Sequence, residues 1–221
     1  MSTIKGFLQR NIELLREDVE AVKERDPAAR GTLEIMLTYP GLHAIWLHRL
    51  AHALLHWHVP LVPRLLSIWA RFRTGVEIHE GAHIGRGLFI DHGMGVVIGE
   101  TAEVGENVTI YQEVTLGGTG KKRGKRHPTI GDNVVLASGA KVLGDIYIGD
   151  NAKIGAGSVV LQDVPANCTV VGVPGRIKTC NGERVPDLRH DRLPDPELDI
   201  LLAMNERLSK LEEVVLHGDR P

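Results

Sequence analysis

The feature that most narrows what this chain can fold into is a six-residue recurrence of aliphatic side chains. Ile78, Ile84 and Ile90 are followed by Ile98, Val104, Ile110 and Leu116, and then by Ile130, Leu136, Val142, Ile148, Ile154 and Val160. A helix repeats near 3.6 residues and a strand at 2, and a helix cannot hold a period of six on one face. A coil of short parallel strands can, each strand supplying one inward aliphatic. Four residues after most of these positions comes a second inward residue that is small or β-branched, as at Ala82, Ala102, Val108, Val114, Val134, Ala140, Ala152 and Ser158. Gly85, Gly99, Gly105, Gly131, Gly149 and Gly155 directly follow repeat aliphatics, where a corner leaves no room for a side chain. The spacing predicts a parallel β-helix that ends near Ile177.

The phase slips between Ile90 and Ile98 and again between Leu116 and Ile130. Those two insertions are where function should be sought, because a regular coil carries its binding residues on interruptions. The first holds Asp91-His92-Gly93-Met94-Gly95, and the second is the glycine-rich, basic stretch from Gly117 to Pro128.

The flanks read as helical. Ile4, Leu8, Ile12, Leu15, Val19 and Val22 form an amphipathic stripe that Asp26-Pro27 ends. Further helices are expected from about Gly41 to Trp57 and from about Leu61 to Arg73, separated by Pro60 and Pro63. Leu201, Met204, Leu208, Leu211 and Val215 suggest a last helix over residues 197–216, at heptad spacing too short to decide between a coiled coil and packing on its own subunit. The expected division is an α+β chain with helices over residues 1–74, a β-helix over 75–177, and a linker with a terminal helix over 178–221.

Net charge −2 provides no global attraction to nucleic acid or anionic lipid. No signal peptide or membrane span is legible. Cys168 and Cys180 form no Cys-x-x-Cys motif and have no histidine at zinc spacing, so neither a disulfide framework nor a structural zinc is expected, and a reducing cytosol fits best. His48, His52 and His56 repeat every four residues on one helical face. With no carboxylate on that face, a packed or polar surface is the preferred reading over a metal site. His79 and His83 raise the same question for the coil.

Several strings carry a resemblance: Asp26-Pro27-Ala28, Glu77-Ile78-His79, IDHGMGVVIGET at 90–101, VTLGGTGK at 114–121, RHPTIGD at 126–132 and KIGAGSVVL at 153–161. In this order they resemble the serine acetyltransferase family of hexapeptide transferases. The resemblance implies a left-handed β-helix, and transfer of the acetyl group of acetyl-CoA to the hydroxyl of L-serine without a metal, the first step of cysteine biosynthesis. His92 is then the general base and Glu77 the carboxylate that holds it, although many relatives carry Asp there. Asp26 and Asp91 would receive the substrate ammonium, and Arg126 with His127 its carboxylate. Gly118, Thr119, Lys121, Ser138 and Ala156 would line the coenzyme A channel, with Lys122, Arg123 and Lys125 near its phosphates.

The family also implies L-cysteine as a feedback inhibitor, a cytoplasmic homotrimer with sites between neighbours, and a hexamer where extra N-terminal helices exist. Relatives that bind O-acetylserine sulfhydrylase insert a terminal isoleucine. Pro221 would fill that pocket poorly, so no tight complex through this tail is expected. Other readings of the coil are an acyltransferase acting on a sugar hydroxyl or amine, a metal-dependent hydratase of the carbonic anhydrase type, and a silent scaffold.

Overall fold

The computed structural model describes residues 2–120, 123–184 and 203–211. Four helices come first: α1 (Ser2–Arg25), α2 (Thr32–Thr38), α3 (Pro40–His56) and α4 (Val62–Thr74). α2 is an addition to the helices expected from sequence. It is one short element whose Ile35 is fully buried.

The coil begins with β1 (Glu77–Ile78), β2 (His83–Ile84), β3 (Phe89–Ile90), β4 (Val97–Ile98), β5 (Glu103–Val104), β6 (Thr109–Ile110) and β7 (Thr115–Gly117). It continues with β8 (Thr129–Ile130), β9 (Val135–Leu136), β10 (Lys141–Leu143), β11 (Tyr147–Ile148), β12 (Lys153–Ile154) and β13 (Val159–Val160). Each of these strands contains one of the six-period aliphatics. They stack in parallel as sheet A (β1-β4-β7-β10-β13) and sheet B (β2-β5-β8-β11), and β3, β6, β9 and β12 lie in sheet C. The pairing is in register, with Ile78 beside Ile98 and Ile98 beside Leu116. All the repeat aliphatics are buried except Ile84, which is partly buried against the same core. The second inward positions, from Ala82 to Ser158, have no exposed surface. Burial of this kind contributes about 1.5–3 kcal/mol per large aliphatic.

Sheet C ends differently from the sequence expectation. β14 (Cys168–Val171) still pairs in parallel with β12, but β15 (Arg176–Cys180) and β16 (Glu183–Arg184) turn back antiparallel. Cys168 and Cys180 become register partners 4.1 Å apart at Cα and are joined by a disulfide. This corrects the expectation that no disulfide forms. A coil running on in parallel to Ile177 would carry residue 180 away from residue 168, and only the antiparallel return brings the thiols together. The bond also removes the cysteine argument for a reducing compartment.

The helices are fastened to the coil by polar groups as well as by Ala44 and Ile45, which enter its core. Arg49 donates to both oxygens of Asp18, at 2.7 and 3.1 Å, and Asp18 is fully buried. Arg25, at the end of α1, donates to the carbonyls of Gly87 and Val108 at 3.1 and 3.2 Å. No described helix is long and apolar enough to cross a membrane. The helix over residues 203–211 belongs to a separate compact unit, residues 187–221, and exposes Met204, Leu208 and Leu211. The remainder of the expected terminal helix, like Pro221, lies outside the described residues.

His48 is buried on α3, and burial pushes its imidazole down to about 3, with His52 and Arg49 adding to the effect. Above the ordinary histidine range the ring is neutral in both folded and unfolded chains. Below about pH 6.5 the unfolded chain takes up a proton that the folded chain refuses. Stability should therefore fall as pH drops from 7 to 5, by up to about 1.4 kcal/mol per pH unit from this group. Urea midpoints at the two pH values test this, with His48→Asn expected to flatten the slope. An equal or higher midpoint at pH 5 in the unaltered chain would refute the assignment.

Candidate active site

The two insertions sit at different edges of the triangular coil. Asp91 to Gly95 turn the chain from sheet C to sheet A, and Gly117 to Pro128 turn it from sheet A to sheet B. The sequence-predicted residues divide between these edges.

On the C–A edge, His92 adopts φ 58°, a left-handed conformation that costs a non-glycine residue energy. Its exposed imidazole Nε2 lies 3.8 Å from Asp91 Oδ2. Asp26 joins them from the end of α1. Its Oδ2 accepts a 2.6 Å hydrogen bond from the Tyr39 hydroxyl, and its Oδ1 accepts one of 2.8 Å from the Ala28 amide. These bonds, and more weakly the charge of His92, hold the Asp26 carboxyl below its usual range. Tyr39 is pushed up to about 12, chiefly by Asp26 and also by Asp91. Sequence reasoning missed Tyr39, which carried no motif. Glycine at position 41 makes this arrangement possible, since a Cβ there would stand 2.2 Å from the Ile90 carbonyl oxygen.

Ser138 and Ala156 lie on the same edge in later coils. Backbone bonds link its turns, from Glu113 N to Met94 O, Gly139 N to Gln112 O, and Gly157 N to Ser138 O, each 2.8 or 2.9 Å. A Cβ at Gly157 would meet nothing within 4 Å, so this wall is open. Glu77 opens β1, and Val76 beside it packs under the His92 turn, 2.8 Å from where a Cβ on Gly93 would stand. The structure pairs the Glu77 carboxylate with Arg71 at 2.9 Å.

The A–B edge carries Arg126, His127, Gly118 and Thr119. Arg126 is ion-paired with Glu100, whose carboxyl it holds below the usual range. The Thr101 hydroxyl accepts the amides of Arg126 and His127 at 3.0 and 3.2 Å and lies 2.9 Å from His127 Nδ1. With both lone pairs used, that hydroxyl donates its proton to Nδ1, and the Thr101 amide donates there too, at 3.2 Å. Nδ1 is therefore an acceptor and Nε2 carries the hydrogen. Burial lowers the His127 pKa, with Arg126 adding to it, so this donor stays neutral. Gly99 admits the ring, because a Cβ there would lie 2.1 Å from Nε2. Glu100 and Thr101 were part of a motif string, but their pairing across coils with residues of the second insertion was not legible.

Thr119 N reaches Arg126 O at 3.3 Å and closes the neck of the basic loop. Lys125 bonds the Thr101 carbonyl at 2.8 Å and Glu103 at 3.1 Å. Lys121 and Lys122 lie outside the described residues.

Comparison with known proteins places the chain in a family. Residues 4–46 match the model described as "Serine acetyltransferase, N-terminal", and residues 127–162 match "Bacterial transferase hexapeptide (six repeats)". A curated serine acetyltransferase from Synechocystis is 61% identical over 198 residues, covering 90% of this chain and 80% of that protein. The chain belongs to the serine acetyltransferase family. A solved family structure, serine acetyltransferase from Neisseria gonorrhoeae in complex with serine, aligns with TM-score 0.74 and 44% identity, covering 76% of this chain and 69% of that one. Another, a serine acetyltransferase complex with cysteine, aligns with TM-score 0.75 and 42% identity, covering 76% and 70%.

Thr101→Val should strand the Arg126 and His127 amides and cost about 1–3 kcal/mol of stability, while Thr101→Ser should be near neutral. Urea unfolding measures the cost, and nitrogen NMR of the imidazole reads the tautomer. A valine variant as stable as the parent, with His127 unchanged, would show that the hydroxyl does not organise this edge.

Proposed function

We propose that the chain transfers the acetyl group of acetyl-CoA to the hydroxyl of L-serine, yielding O-acetyl-L-serine and coenzyme A. The observation that carries this reading is the division of charge and proton chemistry between the edges. Asp26 and Asp91 gather anionic oxygen around an exposed imidazole, while Arg126 and a neutral His127 donor offer cation and N–H. An α-amino acid carries the complementary ammonium and carboxylate.

In this reading His92 takes the hydroxyl proton as the serine oxygen attacks the thioester carbon, and it returns a proton to the departing thiolate when the carbon–sulfur bond breaks. Glu77 is the carboxylate assigned to steady the imidazolium, its proximity to the His92 turn through Val76 supporting the role. Arg71 must release it. Gly118, Thr119, Ser138 and Ala156 line the coenzyme path, which the open wall at Gly157 favours; Lys121 is assigned there by resemblance alone. The left hand of the coil rests on the hexapeptide family match.

Because the two half-sites occupy separate edges, we read the active unit as a homotrimer in which the C–A edge of one copy meets the A–B edge of the next, a heterologous contact that closes by rotation. Leu65, Ile68, Trp69 and Phe72 on one face of α4 are each at least half exposed, Phe72 to 90%, and support burial between copies.

Thiol release from acetyl-CoA should be fastest with serine when compared with homoserine, a galactoside and an amino sugar. His92→Ala should lower kcat/KM for serine by at least ~10² with little change in coenzyme A affinity. A galactoside preferred over serine would overturn the substrate, and near-normal turnover by the variant would remove His92 from the mechanism.

L-Cysteine presents the same ammonium and carboxylate with a thiol in place of the hydroxyl, so it should inhibit competitively with serine. Steady-state inhibition by the two enantiomers tests the pocket. Equal potency of D-cysteine would contradict it.

A further inference from the structure

Tyr39 stands outside both insertions of the coil, yet its hydroxyl donates to Asp26 Oδ2 at 2.6 Å. Its backbone is held from two sides. The Tyr39 amide bonds the Ile35 carbonyl as α2 ends, and the Tyr39 carbonyl accepts the His43 amide in the first turn of α3. Pro40 opens α3, and a residue before proline is kept to extended backbone, here φ −88° and ψ 104°. The ring is partly buried against the apolar cluster of Val19, Val22, Ile35, Leu42 and Phe89. With the backbone capped and the ring packed, the hydroxyl is presented at a fixed point.

The other hydrogen bond to the Asp26 carboxylate is local. Oδ1 accepts the amide of Ala28, two residues on, at 2.8 Å, which ties one oxygen into a turn. One bond leaves the carboxylate free to swing about that oxygen, and a second bond to Oδ2 from a different element fixes its plane. An ionised carboxylate offers about four lone pairs, so the pair of bonds leaves others open to an incoming ammonium. The charged groups around the pair are His92, which favours the ionised Asp26, and Glu34 and Asp91, which with Asp26 itself favour the protonated Tyr39. With Tyr39 pushed up to about 12, the hydroxyl keeps its proton at neutral pH and acts as a donor.

We propose that Tyr39 is a positioning residue for acetyl transfer, whose hydroxyl holds the Asp26 carboxylate in the plane that accepts the ammonium of the amino-acid substrate. The inference rests on the serine reading above. It assigns to Tyr39 an effect on the affinity for serine that passes through Asp26 and does not extend to acetyl-CoA. A tie that only joined α1 to α3 would be felt instead in stability and in both substrates alike.

The test uses the full chain and Tyr39→Phe, which removes the hydroxyl and keeps the packed ring. The KM for serine should rise about three- to tenfold, the range of one hydrogen bond, while kcat and the KM for acetyl-CoA stay within about twofold of the parent. Asp26→Asn should itself raise the KM for serine, and adding Tyr39→Phe to it should bring no further rise, because residues acting through one contact are not additive. Carbon NMR of aspartate-labelled protein reads the bond without the reaction: the Asp26 carboxyl should titrate at higher pH in Tyr39→Phe. An unmoved titration would overturn the proposal, as would an equal rise in KM with and without Asp26. A parental KM in Tyr39→Phe beside a raised KM in Asp26→Asn would overturn the role of Tyr39 and leave the serine reading standing. Parental KM values in both variants would overturn the role of Tyr39 together with the assignment of Asp26 to the ammonium.

Discussion

The inward file of aliphatics is the constraint on which the rest of the structure depends. Ile78, Ile98, Leu116, Val142 and Val160 lie directly over one another in sheet A. Sliding one coil by a residue would turn its aliphatics outward and forfeit their burial, so the register cannot drift. Fixed register makes the corners into vertical files. His92 owes its place above the turns of Ser138 and Ala156 to this stacking, and Arg126 owes its place beside Glu100 to the same rule one edge away.

Asp26 is the one residue of the anionic cluster that the coil does not itself carry. It is delivered by α1, and α1 is held by Asp18 against Arg49 and by Arg25 against the carbonyls of Gly87 and Val108. A buried ion pair returns little net stability against its desolvation. Its directional bonds fix how far along and at what rotation the helix lies, which a purely apolar contact would define less sharply. The polar fastening of α1 thereby determines where the Asp26 carboxylate meets Tyr39 and the His92 turn.

The strands, their inward residues and the positions of both insertions are legible in the six-residue period, because those properties repeat locally along the chain. Contacts between coils are not legible in the same way. Thr101 and His127 are far apart in sequence, and nothing local in either announces that one hydroxyl satisfies two amides and an imidazole. The disulfide escapes a reading of the sequence for a related reason, since it depends on the coil abandoning its parallel course after Val171. Tyr39 escapes because a lone tyrosine before a proline carries no motif, and its role exists only where α1 ends beside α3.

Glu100 gives the A–B edge a property that the substrate-binding reading has to accommodate. An arginine with no partner at a half-formed site would leave a cation waiting for a ligand, and Glu100 meets that need from within the chain. Under the proposed assignment, a substrate carboxylate arriving at Arg126 would share or displace an existing bond, which would lower its net gain relative to binding at an unpaired guanidinium. The same internal pairing keeps the guanidinium oriented in an isolated chain. Under the proposed assembly, the edge then meets its neighbour already arranged, and the cost of arranging it is met during folding, before substrate arrives.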